Sequence, residues 1–190
     1  YLTALLESAK RANGLDQQLT TEQGSAHALA AALGVDALSD VLDYALHEEK
    51  TAAAVGAIEV LSEIGSVELL QSNGGRPSSL ALCVKHPDRR VSFAAVEAIV
   101  KLDPTEPFAG SSYVSEALGY FASTVGSRRV LVAHPRTDQA QTLVGMLNEL
   151  GFDADTAQTG RQTLQMSVQY PDYEFVLVSD AVDHPTVSEL

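Results

Sequence analysis

A stretch of twelve residues, KTAAAVGAIEVL at 50–61, returns 41 positions later as VSFAAVEAIVKL at 91–102. On this offset Ala53, Ala54, Val55, Ala57, Ile58 and Leu61 fall on Ala94, Ala95, Val96, Ala98, Ile99 and Leu102. The recurrence constrains the chain more than any short motif, because such units cannot bury their apolar faces alone and must stack on one another. In the second copy Val91, Ala94, Ala95, Ala98, Ile99 and Leu102 follow i, i+3, i+4, i+7, i+8, i+11, one face of a helix. Small residues at the centre of that stripe let a neighbouring helix come close, and longer ones at its ends fill the gap between layers.

The first hundred residues are almost free of strand signals. Asn13-Gly14, Gly34, Gly65 and the loop SNGGRP at 72–77 punctuate them, and between those stops the apolar residues keep helical spacing. Leu2, Leu5, Leu6 and Ala9 make one face; Val35, Leu38, Val41, Leu42, Ala45 and Leu46 make another. HPDRRVSFAAVEAIVKL (86–102) resembles the second helix of a HEAT repeat, with a proline-aspartate turn, a valine, paired alanines and a leucine. Residues 47–64 are a weaker copy without the proline. The resemblance implies first helices at 35–46 and 78–85, with helices at 2–12 and 22–33 as an irregular capping pair. A generic helical bundle is the alternative.

Within this half Cys83, between Leu82 and Val84, reads as a buried core thiol. His27, His47 and His86 have no partners at ligand spacing and read as surface or turn residues. GGRPSS follows no strand and lacks the Lys-Ser/Thr ending, so it is no phosphate loop.

From Asp103 to Gly110 the sequence DPTEPFAG ends the helical array, and 112–123 reads as one helix bearing Val114, Leu118 and Phe121. After Gly126 short apolar runs alternate with helices, the pattern of a parallel sheet with crossovers. RVLVA (129–133) is a buried strand and 137–150 a helix stopped by Gly151. DADTA (153–157) is a short strand, and Thr159 is a suitable N-cap for GRQTLQMSVQ. EFVLVS (174–179), after the break at Tyr170-Pro171-Asp172, is more apolar than the second strand and so is expected to lie more centrally. The expected organisation is multi-domain, α plus α/β: a helical repeat domain at 1–103, a linker and connecting helix at 104–127, and a partial α/β domain at 128–190.

RVLVAHPRTDQAQTLVGMLNELGF, TAQTGRQTLQM and YPDYEFVLVSDAVDHP resemble, in order, the opening of a bacterial response-regulator receiver domain up to its phosphoacceptor strand. That resemblance implies a flavodoxin-like fold, here reaching only the third strand. Another flavodoxin-like domain is the alternative, and no glycine fingerprint follows the first strand to suggest a dinucleotide site. A working receiver holds Mg²⁺ with an acidic pair just after its first strand and an aspartate after its third. Here the pair's positions are His134 and Pro135, neither of which suits a hard cation. The acceptor position falls on Asp180, or on Ser179 in the register one residue earlier. Asp183-His184-Pro185 stands where the family carries Met-Pro. His134 and His184 at one sheet edge would make only half of a transition-metal site.

Net charge is −13, with 8 basic and 14 acidic residues at 1–103 and 4 and 11 in the remainder. Neither half has the basic footprint that nucleic acid or an anionic membrane requires. The start has no signal-peptide pattern, no apolar run reaches a bilayer's width, and the single cysteine suits a reducing compartment, so a cytoplasmic setting is expected. Because it starts without Met and stops where a helix seems to begin, the sequence is expected to be a piece of a longer protein. There is no nucleophile with a nearby base and no metal-spaced cluster. The expectation is therefore a non-catalytic interaction scaffold with a pseudo-receiver, no cofactor, and other proteins as partners; homo-oligomerisation stays open. The alternative is a phosphorylatable receiver using Asp180 with Mg²⁺.

Overall fold

The computed structural model describes residues 1–71, 76–124, 126–170, 172–183 and 185. It is mixed α/β, a helical region followed by a three-stranded parallel sheet with its helices. The chain divides into two compact units, Tyr1–Leu118 and Gly119–Leu190.

In the first unit the elements are α1 (Leu2–Asn13), α2 (Ala26–His47), α3 (Thr51–Ile64), a 3₁₀ turn (Val67–Leu70), α4 (Ser79–Cys83), α5 (Arg89–Leu102) and the start of α6 (Ser111–Ala122). Ser25 caps α2 by accepting from Ala28 N at 3.2 Å, so the helix begins at 26 where 22 was expected. Gly34, at φ 85°, breaks α2 at the predicted stop. Only glycine takes that backbone region without strain. Asp88 caps α5 through Arg90 N at 2.9 Å, and the Arg90 guanidinium on the same carboxylate holds its pKa below the usual aspartate range.

The two copies of the repeat are α3 and α5, which pack on each other. α3 also packs against α1 and α2, and nine of its residues, Ala52–Ile58, Val60 and Leu61, are buried. In α5 the stripe is buried at Val91, Ala95, Ala98 and Ile99, with Ala94 and Leu102 half-buried. Ser92 joins the buried side by donating to Val84 O at 2.7 Å. α4 has five residues, shorter than the expected 78–85. Residues 72–75 of the SNGGRP loop lie outside the described residues.

Two polar side chains depart from expectation. His27 was read as a surface residue but is buried at 6% exposure, its Nε2 2.8 Å from Glu63 Oε2 at an angle unsuited to a hydrogen bond. The reason is its position one helical turn before buried Ala30, on the inward side of α2. Lys10 is also buried, its ammonium on Glu59 of α3 and on Gln17 O. Glu59 in turn accepts from Leu19 N, and Glu7 accepts from Ala53 N at 2.7 Å.

The second unit contains β1 (Arg129–Ala133), α7 (Thr137–Glu149), β2 (Asp153–Ala157), α8 (Gly160–Gln169) and β3 (Tyr173–Val178). The strand order is β2-β1-β3, all parallel. Val130 and Val132 pack with Ala140 and Leu147 of α7 on one face of β1. Leu131 and Ala133 pack on the other with Ala157, Tyr173, Val182 and Met166 of α8. β1 lies between the other two strands, and among the described residues β2 and β3 each pair with β1 alone, so pairing does not set the third strand more centrally than the second. Apolar content reports how well a strand's faces are covered, whereas edge position concerns its backbone hydrogen bonds. Phe175 and Leu177 on β3 are each 38% exposed. Arg129 ties the start of the sheet together, pairing with Asp155 of β2 and lying over the rings of Tyr170 and Tyr173 at 4.6 and 4.9 Å.

Among the described residues no helix is long and apolar enough to cross a membrane.

The Lys10–Glu59 pair generates the first prediction. Lys10→Met leaves Glu59 with only the Leu19 amide in a nearly dry site, and breaking a buried pair from one side costs on the order of 3 kcal/mol. Urea unfolding is expected to show the loss in the first unit, with Lys10→Met/Glu59→Met less destabilised than the sum of the single variants.

Candidate functional site

In an open α/β sheet the chemistry collects beyond the carboxyl ends of the strands. Here those ends are Ala133, Ala157 and Val178, and backbone pairing continues past them. His134 N donates to Ala157 O and Ser179 N to Ala133 O, both at 2.9 Å. Ala133 pairs with Val178 in the β1–β3 register. Carrying that register on places Ser179 level with His134 and Asp180 level with Pro135. The sequence-predicted residues thus stand side by side on one rim.

Their side chains are engaged locally. His134 Nδ1 is 3.0 Å from Arg136 N and 3.2 Å from Arg136 O, so this ring nitrogen is held in its own turn. Pro135 is exposed and offers no ligand atom. Ser179 Oγ accepts from Ala181 N at 3.2 Å, and Val182 N returns to Ser179 O at 3.1 Å, closing a tight turn over buried Val182. Asp180 is exposed, its Oδ1 3.5 Å from Ser179 Oγ. The Ser179 hydroxyl therefore serves the turn, while the Asp180 carboxylate faces solvent.

Residues that the sequence reading passed over complete the rim. Asp138, in the first turn of α7, pairs with Arg136 at 3.1 Å, and that hydrogen bond pulls its carboxyl below the ordinary range. Its place was signalled by an acid in the first turn of a predicted helix. Gln158 Nε2 donates to Thr137 Oγ1 at 3.1 Å, and Gln158 N to Gln162 Oε1 at 2.9 Å, stitching the β1 and β2 exits together. Thr159 caps α8 as predicted, accepting from Gln162 N at 3.2 Å.

The turn after β3 closes against α8. Gly160 N donates to Asp183 O at 3.2 Å, and a Cβ on Gly160 would come within 2.2 Å of Pro185 O. Glycine is required there by close approach and not by φ. His184 lies outside the described residues, so its proposed pairing with His134 is not among them.

A hard divalent cation does not fit this rim. Of the residues aligned at the strand ends, Pro135 offers no ligand atom, the His134 imidazole is held in its own turn, the Ser179 hydroxyl serves the turn after β3, and Asp180 carries the carboxylate. Among the described residues no three His, Cys, Asp or Glu side chains are grouped as metal ligands. Cys83 is distant chemistry of another kind: burial first, then the charge of Asp43, push its thiol up to about 12.

No protein-family model, no curated protein and no solved structure matches the chain.

Gly160→Ala is expected to lift the 179–185 turn from α8, so that the Val182 amide exchanges with solvent faster while amides of β1 keep their rates. Cys83 is expected to resist alkylation in the native protein at pH 8, where roughly one thiol in ten thousand is ionised, and to react at once in urea. Native-state labelling at the denatured rate would contradict the burial.

Proposed function

We propose that the chain is a non-catalytic interaction scaffold, a HEAT-like helical array followed by part of a pseudo-receiver. The observation that carries the reading is the strand-end rim, with His134 and Pro135 where a receiver needs its acidic pair. Three further features support it. α3 and α5 pack as two copies of one helix, as stacked repeats do. The order β2-β1-β3, with α7 and α8 on opposite faces, is compatible with the beginning of a flavodoxin-like sheet. The His134 and Ser179 side chains are engaged by the backbone of their own turns, and Asp138 by Arg136, which leaves Asp180 as the exposed carboxylate at the end of β3.

The acidic balance favours basic or neutral protein surfaces as partners. Seven of the twelve Lys and Arg residues hold carboxylates of this chain, so the charge left facing outward is mainly negative. Nucleic acid is accordingly not proposed as a ligand. Membranes are not proposed either, and the cytoplasm remains our proposed setting.

One observation favours a second reading, a phosphorylatable receiver. The Asp180 carboxylate is exposed at the end of β3, where a phosphoacceptor would stand, whereas Ser179 is tied into the turn. The two readings differ in a single experiment. With Mg²⁺ and beryllofluoride, amide spectra of His134, Ser179 and Asp180 are expected to stay unchanged. A fluoride-dependent shift that Asp180→Asn abolishes would establish the receiver chemistry and overturn the scaffold reading.

A further inference from the structure

Residues 45–50 and 86–91 correspond on the 41-residue offset, and each stretch leads into a copy of the repeated helix, α3 or α5. A cavity of about 360 Å³ lies between the two stretches, wholly within the first unit. Its walls are apolar at Leu46, Ala54, Pro87 and Val91. Glu49, Thr51, His86 and Asp88 are the polar residues that line it.

Asp88 is already engaged, since it caps α5 and pairs with Arg90. The other three have hydrogen-bonding capacity left over. Among the described residues the Glu49 carboxylate and the Thr51 hydroxyl take part in no hydrogen bond or ion pair. His86 Nδ1 accepts from Asp88 N at 3.1 Å, which leaves Nε2 to carry the ring proton and donate. One anionic acceptor, one hydroxyl and one N–H donor therefore border a single cavity with apolar walls.

Glu49 stands where its backbone is strained. It follows the C-cap of α2 at φ 54°, and Lys50 N closes the helix end on Ala45 O at 2.8 Å. Glycine is the usual residue at that place, because a Cβ is disfavoured in the left-handed region. The carboxylate offsets that strain with no bond among the described residues. The charge around it sets the sign of a ligand. Residues 12–49 hold seven acids and no lysine or arginine, so the chain leading to the cavity attracts cations.

We propose that this cavity takes a lysine side chain of a partner protein. The aliphatic stem lies along Leu46 and Pro87, the ammonium donates to Glu49 and Thr51, and a backbone carbonyl beside that lysine accepts from His86. An ammonium spreads three donors over acceptors on different residues, whereas a guanidinium fork is matched to one carboxylate. The chemistry of the cavity stands on the first unit alone; that its occupant belongs to a partner protein rests on the scaffold reading.

Amide spectra of the full chain, titrated with N-acetyl-lysine methylamide, test it. Glu49, Thr51, His86 and Val91 are expected to shift saturably. The norleucine analogue, which keeps the stem and lacks the ammonium, should bind about tenfold more weakly, and Glu49→Gln should weaken the lysine compound by about as much. Glu49→Gly should abolish the shifts while keeping or raising the urea midpoint of the first unit, which separates loss of the site from loss of the fold. The proposal fails if those amides do not shift, or if the norleucine or arginine analogue binds as tightly as the lysine one. It fails equally if Glu49→Gly keeps the shifts or lowers the midpoint. A beryllofluoride adduct at Asp180 would overturn the scaffold reading and leave these titrations unchanged.

Discussion

A helix buried along most of its length has little water to satisfy its first amides or the polar side chains its neighbours cover, and α3, with nine of its fourteen residues buried, is such a helix. Lys50 at its N-cap provides no side-chain bond, so Glu7 of α1 reaches across to Ala53 N. Glu59 is the polar residue of α3 that α1 covers, and it is satisfied by Lys10 and by the Leu19 amide. At Gly56 the nearest atoms of α1 are side-chain carbons of Leu6, 3.5 and 3.6 Å from where a Cβ would be, an ordinary van der Waals distance. Removing Glu7, Lys10 or Glu59 leaves a buried charge or an unpaired amide at the centre of the unit. The position of α1, of the 14–19 loop and of α3 itself thus follows from one requirement.

That requirement also explains where the two copies of the repeat differ. On the 41-residue offset Gly56 and Glu59 correspond to Glu97 and Val100 of α5, both exposed. α3 has α1 on that flank and α5 does not, so only α3 carries a paired acid there. The shared positions record the contacts that both helices make, and the unshared ones record which copy has an additional neighbour.

This is why the sequence disclosed the elements better than their surroundings. The recurrence, Gly34 and the caps at Thr159 and Asp88 are local signals, and each stands where its chemistry placed it. Lys10 and His27 could not be recognised as buried, because burial of a polar side chain depends on acids 49 and 36 residues away along the chain. The rank of β3 against β2 is not set by apolar content either, because apolar residues describe a strand's two faces while an edge is a property of neighbours. At the rim, His134, Pro135, Ser179 and Asp180 were legible as a group, since the strand ends fix them. The bonds that occupy them, from Arg136 N and Ala181 N, arise from turn geometry that composition does not encode.

Around the strand ends the polar groups find their partners in neighbouring side chains and in the backbone. Asp138 pairs with Arg136, Gln158 donates to Thr137, and Gly160 at the N-terminus of α8 donates to the Asp183 carbonyl in the turn after β3. Each is a bond a metal-binding arrangement would have to break before the side chain or the turn could move inward. The strand-end rim is thus a framework fixed by its own turns, from which the Asp180 carboxylate stands exposed.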